Sequence, residues 1–214
     1  FYVAENEYVA NPKLAEFGEK VLPSVFMPPL YYYFIYLIKF LTINFFDLCS
    51  LIIIFQIFLS LISIIIFFKI LNNFTTKEFS IIITFIFAFY PVNVLAASQI
   101  SSTTLQIFLL LNFFYFLIKI IDNNSKKNLI LFSLFSGLLI LIRGEFFLFF
   151  FTTIIYFFLF LERNLKYFLI SIFITLIVIS PYLHRNYILF DTLTLTKSFG
   201  YNLLKGNNPN FKVE

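Results

Sequence analysis

Tryptophan is absent from this 214-residue chain, and cysteine, methionine and histidine occur once each. The single Cys49 cannot close an internal disulfide and offers neither a metal cluster nor a redox pair. It reads as a small apolar residue within a helix. Glycine is scarce, with five residues, while phenylalanine reaches 35. With the abundance of Ile, Asn and Lys, this bias is that of AT-rich coding, and Phe stands where most membrane helices use Leu. Charge is scarce too: 12% of residues are charged, against roughly 25% in a soluble domain. What fills the gap is apolar. Hydrophobic residues make up 61% of the chain and the mean hydropathy is +0.94. Folded proteins of this size still expose much of their area, so a water-soluble fold could not hide this surface. The net charge of +4 reads as loop charge that orients a membrane protein. A nucleic-acid partner is therefore not expected, and membrane lipid is. No signal peptide and no internal repeat is visible, and an inverted-repeat transporter is unsupported.

The expected fold is an all-α polytopic membrane protein with about six transmembrane helices plus an interfacial helix. A spanning helix needs about 20 mostly apolar residues. Six segments approach this: Leu48–Ile70, Phe79–Leu95, Thr103–Ile121, Asn128–Ile142, Glu145–Leu161 and Tyr167–Tyr182. Polar breaks separate them at Asn72-Asn73 with Thr75-Thr76-Lys77, at Asp122-Asn123-Asn124-Ser125, and at Glu162-Arg163-Asn164. Arg143-Gly144 alone splits the fourth from the fifth. A seventh stretch, Leu30–Leu41, follows Pro28-Pro29 and holds four tyrosines and Lys39; stretches of its length are more often interfacial or re-entrant than spanning. Tyrosine favours the membrane interface, so this stretch is expected to lie there.

Charge orients the arrangement. The loops after Ile70, Ile121 and Leu161 carry Lys69, Lys77, Lys119, Lys126, Lys127, Arg163 and Lys166, and the other side carries Arg143 and Lys39. The positive-inside rule places the richer side in the cytoplasm. Both 1–47, an outer loop with the interfacial helix, and 183–214, the start of an outer loop or domain, then face outward. Between them, 48–182 forms the transmembrane bundle. Phe1 stands where Met would, and Glu214 follows a polar run, so both ends read as cuts in a longer protein.

Ionisable groups in or beside membrane helices are costly and often functional. Arg143 and Glu145 sit at a helix junction, either as an interfacial pair or with Arg143 neutralising a phosphate through its planar fork. His184-Arg185-Asn186-Tyr187 follows Ser180-Pro181, where Pro181 is expected to stop or kink the helix. The quartet would emerge at the interface, as an anchor or as a binding group. Glu5 and Glu7 beside Tyr8, then Glu16 and Glu19, are either solvated acids or candidates for a general base, which must lie close to the hydroxyl it activates. Ser101-Ser102-Thr103-Thr104 reads as a helix cap. Ser198–Leu203 leads into Lys205-Gly206-Asn207-Asn208-Pro209, whose Gly and Asn suit tight turns.

Several of these runs resemble a known family. Ser180-Pro181-Tyr182, Arg185-Asn186-Tyr187, Asn202-Leu203 and Gly206-Asn207-Asn208-Pro209 are similar, in order and spacing, to a signature of the GT-C membrane glycosyltransferases. That group includes protein O-mannosyltransferases and the aminoarabinose transferases that modify lipid A. Phe26-Met27-Pro28-Pro29-Leu30-Tyr31, Tyr90-Pro91 and Gly137-Leu138 with Leu141-Ile142-Arg143 resemble further steps of the pattern. The resemblance implies a GT-C-like N-terminal half in a multi-pass protein of the bacterial inner membrane. It implies a transferase that passes a sugar from a polyprenyl-phosphate carrier to an acceptor on the outer face. On that reading Glu7 or Glu5 is the catalytic acid residue, and Arg143, Arg185, His184 and Asn207 bind substrate. Many relatives carry Glu where this chain has Ser102-Thr103-Thr104, which leaves the second acidic position, and any divalent metal cofactor, open. The alternative is a non-catalytic membrane protein, such as a transporter subunit or a degenerate relative.

Overall fold

The computed structural model describes residues 25, 27–40, 47–123, 125–160, 165–197 and 207. Among them every regular element is a helix: α1 Leu30–Lys39, α2 Leu48–Leu71, α3 Lys77–Ala88, α4 Pro91–Ser98, α5 Thr103–Asp122, α6 Lys126–Ile142, α7 Phe146–Phe160 and α8 Leu165–Phe190. The chain divides into a larger unit, Leu30–Ile179, and a smaller one, Phe1–Pro29 with Ser180–Glu214.

Helix α2 shows how the larger unit is built. Its 24 residues are apolar almost without interruption, so no amphipathic stripe marks an inner face. The face turned inward is nonetheless definite: Ile52, Gln56, Ser63 and Ile70 are buried, while Ile54, Phe58, Leu61 and Ile65 are exposed. Polar side chains are buried along other helices too. Ser80, Thr84, Thr104, Asn112, Ser133, Ser136, Ser171 and Thr175 are buried while large Phe, Ile and Leu side chains face outward. In water an apolar surface of that extent would aggregate. In lipid it is the low-energy arrangement, because tails are as apolar as Leu and helix contacts are made by small and polar residues.

Among the described residues, three helices are long and apolar enough to cross a membrane: Leu48–Leu71, Thr103–Asp122 and Leu169–Phe190. The expected span Phe79–Leu95 is not one straight helix. Lys77–Ala88 and Pro91–Ser98 meet at a 51° bend and count together as one further candidate. Pro91 causes the break: it lacks an N–H and forces Tyr90 into an extended conformation, φ −63° and ψ 121°. Asn93 Nδ2 donates to Phe87 O at 3.0 Å and satisfies the end of α3. The expected spans Asn128–Ile142 and Glu145–Leu161 form helices of 17 and 15 residues, both shorter than an untilted crossing requires. At the last span the expectation of a helix stop fails, because α8 runs through Pro181 to Phe190. Proline removes one ladder donor, and membrane helices tolerate this where neighbouring groups re-satisfy the freed carbonyl.

Helix α5 packs against both α2 and α6, and α7 packs against α6. Aromatic rings fill the α5–α6–α7 core: Phe132, fully buried, has Phe113, Phe157 and Phe150 at centroid distances of 5.0, 5.8 and 6.2 Å. The α6–α8 contact is closer and made by small residues. Ser133 Oγ lies 2.8 Å from Ser171 Oγ, and Thr175 Oγ1 donates to Ser133 O at 3.1 Å. Gly137 faces Val178 there, with no room for a methyl group. Helix α1 exposes Tyr32, Tyr33, Tyr36 and Leu37 and buries Ile38. Its ten residues rise only about 15 Å, half the hydrocarbon thickness.

Candidate functional site

In the smaller unit the end of α8 is tied to segments distant in sequence. The Tyr182 side chain is buried, and its hydroxyl donates to Met27 O at 3.5 Å. The Lys197 N–H donates to Val25 O at 3.1 Å. Asn186 is fully buried. Its Nδ2 donates to Thr194 O at 2.6 Å, folding the segment after the helix back onto its last turn. That return begins at Asp191, whose φ of 52° is a left-handed conformation that Asp tolerates better than most residues. Its N–H still reaches Tyr187 O at 2.9 Å and closes the helix.

This frame fixes Arg185. Its Nη1 donates to Asn186 Oδ1 at 2.9 Å, so one buried amide anchors both the returning segment and the guanidinium. The guanidinium carbon lies 5.8 Å from the Tyr182 ring centroid and 5.9 Å from that of Phe190. Lys197 Nζ lies 5.5 Å from the same Phe190 centroid. Ring faces attract cations electrostatically, so Phe190 gathers two positive charges. His184 is exposed and lines an open groove with Ser180, Leu183, Tyr187 and Leu193. Chemically this end can hold an anion beside an apolar groove.

Arg143 belongs to the larger unit, in the turn between α6 and α7. Its Nη1 meets Glu145 Oε1 at 3.0 Å, and both side chains are more than half exposed. An ion pair in that setting contributes about 0–1 kcal/mol, so it leaves the guanidinium readily exchangeable to another anion. Asn207 is exposed. Glu5 and Glu7 lie outside the described residues. Among the described residues no cluster of three His, Cys, Asp or Glu could hold a metal ion.

The expected cap at Ser101–Thr104 is a second point of difference. Ser102 makes no side-chain cap bond and has φ −72°, ψ −10°, a helical conformation that turns its hydroxyl away from the free N–H groups. Ser101 O instead accepts from Gln56 Nε2 at 2.8 Å. Thr104 Oγ1 and Gln56 Oε1 are buried without a partner among the described residues. In α1, the Tyr31 hydroxyl is likewise buried, and desolvation pushes its pKa up to about 12. Sequence reasoning missed Lys197 and the anchoring role of Asn186. Asn186 stood in a quoted motif, while Lys197 belonged to none.

The family of dolichyl-phosphate-mannose-protein mannosyltransferase matches residues 27–184. Neither a curated protein nor a solved structure matches the chain. The family match covers well over half of the 214 residues, and the chain belongs to this family of glycosyltransferases.

Proposed function

We propose that this membrane glycosyltransferase takes a sugar from a polyprenyl-phosphate carrier and passes it to a protein, lipid or glycan acceptor on the outer face of a six-span bundle. The observation that carries the reading is the family match over residues 27–184; the family's name specifies a lipid-phosphate donor. A lipid phosphate needs a cation at the leaving group, and Arg185, braced by Asn186 and held over the Tyr182 ring, has the right chemistry. In the reaction the bond between the sugar's anomeric carbon and the phosphate oxygen breaks, and its electrons leave on the phosphate. The acceptor oxygen bonds to the anomeric carbon, and its proton passes to a base, for which Glu7 and Glu5 are the candidates. Arg185 serves where negative charge develops on the departing phosphate, which is where preorganised charge counts most; Arg143, in the larger unit, is the alternative candidate for that role.

The test uses the full-length protein with its carrier-linked sugar. Arg→Lys keeps the charge but loses the bidentate fork. Turnover in R185K or R143K is expected to fall by about 10²–10³, by analogy with other charge-stabilising donors. Loss of the base in Glu7→Gln or Glu5→Gln is expected to cost about 10²–10⁴. Unchanged turnover in both arginine variants removes the phosphate role. One observation favours a non-catalytic relative as the second reading: Ser102, Thr103 and Thr104 bring no carboxylate to the start of α5. A full-length protein inert toward every carrier-linked sugar offered would support it.

A further inference from the structure

We propose that Lys197 is the second cation of the carrier-phosphate site, working with Arg185 beside the Phe190 ring; this rests on the phosphate role of Arg185 given above. Two cations are drawn to one ring, at 5.9 and 5.5 Å from its centroid. Two positive charges held at one ring raise the local positive potential, which favours an anion there. The backbone commits to the arrangement. Lys197 is held through its own N–H to Val25 O, and its segment is pulled onto the helix end by Asn186 and Thr194. The Lys197 side chain itself is exposed and makes no ion pair among the described residues. Asp191, the carboxylate of this segment, is exposed and also unpaired among them. The two cations differ usefully. The guanidinium offers a planar fork for two phosphoryl oxygens, and the ammonium is a compact charge on a flexible stem that can reach a third. A phosphate monoester or diester is therefore the ligand class, and the flanking apolar groove of Leu183, Tyr187 and Leu193 suits an attached hydrocarbon chain.

The shared chemistry could come from a carrier phosphate or from a phospholipid headgroup, and the experiment separates them. Full-length protein in neutral-lipid nanodiscs is titrated with farnesyl phosphate as the probe, and turnover is followed with the carrier-linked sugar. K197Q is expected to weaken farnesyl phosphate binding about ten- to a hundred-fold, the range of a charge-assisted hydrogen bond. KM should rise in parallel with little change in kcat, since a ground-state phosphate contact is uniform binding. K197R should recover most of the loss. Normal binding by K197Q together with weakened binding by R185K overturns the Lys197 role alone. Normal binding by both variants overturns the carrier-phosphate reading beneath it. If phosphatidylglycerol in the nanodisc displaces farnesyl phosphate from the wild type but not from K197Q, Lys197 is a headgroup anchor and the proposal fails.

Discussion

Gly137→Ala should destabilise the α6–α8 contact, and the sign of the effect is the informative part. A Cβ at Gly137 would lie 2.7 Å from Val178 Cβ, 2.8 Å from Val178 Cγ1 and 3.3 Å from Thr175 O. Carbon atoms in good contact are about 3.5–4.0 Å apart, so α8 must retreat by most of an ångström. The Ser133–Ser171 contact at 2.8 Å and the Thr175–Ser133 bond at 3.1 Å would both stretch past useful length. Overpacking costs about 1–3 kcal/mol, and each interhelical bond in a membrane is worth about 0.6–2 kcal/mol. Alanine returns about 1 kcal/mol through its better helix propensity. The net expectation is a loss of about 1–6 kcal/mol, read by reversible unfolding in mixed micelles. Were the contact loose, propensity alone would make G137A more stable. Val178→Ala in the G137A background removes the Cγ1 clash but leaves the Cβ clash, so recovery should be partial. A double-mutant cycle should show coupling of about 0.5–3 kcal/mol. A G137A protein as stable as the wild type, or more so, would refute the close approach.

Phe132→Ala, which empties the centre of the Phe113–Phe150–Phe157 cluster, should cost about 3–5 kcal/mol in the same unfolding assay. Gln56→Leu keeps volume but strands the part-buried Ser101 O, and should cost about 1–3 kcal/mol, the penalty for a carbonyl left unpaired. Tyr31, whose pKa burial raises from 10.0 to about 12, holds its proton more tightly when folded. Its contribution to stability is complete below the unfolded pKa and is lost as pH rises through the folded one. Stability should therefore decline between about pH 10 and 12 in the wild type, and less so in Y31F.

The helical segments were legible because apolar runs and polar breaks carry that signal without tertiary information. Asn72-Asn73 ends α2 as composition demands, and Arg143 caps the end of α6, its N–H reaching Leu139 O at 3.1 Å. Which side of each helix faces its neighbours was not legible. Helix α2 is apolar all round, so periodicity is silent, and the inward face is chosen by Gln56 and Ser63. Proline was misjudged in both directions. Pro91 breaks an expected span because its backbone sits at N1 of a new helix, while Pro181 is absorbed inside α8. Local propensity is the same at both positions, and context decides between them. In the smaller unit, Arg185 stood in a run that the sequence singled out. Lys197 was not legible, because its proximity to Phe190 depends on the return at Asp191 and on the Asn186–Thr194 bond. Neither leaves a mark in spacing.

The last expectation concerns the α6–α7 hairpin, whose helices are short. At about 1.5 Å per residue, 17 and 15 residues rise roughly 26 and 22 Å against about 30 Å of hydrocarbon. They could cross twice with local thinning, or dip in and return. Charge separates the two. A re-entrant hairpin would hold its tip, the exposed Arg143–Glu145 pair, inside the membrane. Each charge at the bilayer centre costs about 2.5–3.5 kcal/mol or more. Mismatch costs only fractions of a kcal/mol per ångström, and Arg143 can snorkel to close part of the gap. Two crossings are therefore the expected outcome. The positive-inside assignment does not depend on it, because a hairpin returns the chain to the same side whether or not it crosses. On that assignment Lys69, Lys77, Lys119, Lys126, Lys127 and Lys166 are expected on one side in either case. The test replaces the exposed Cys49 with Ser and introduces Cys at Arg143 or Lys126 in turn. A membrane-impermeant thiol reagent added to intact cells should label R143C and spare K126C until the cells are opened. Labelling of K126C alone would invert the orientation, and protection of R143C from both sides would establish the re-entrant hairpin in place of two spans.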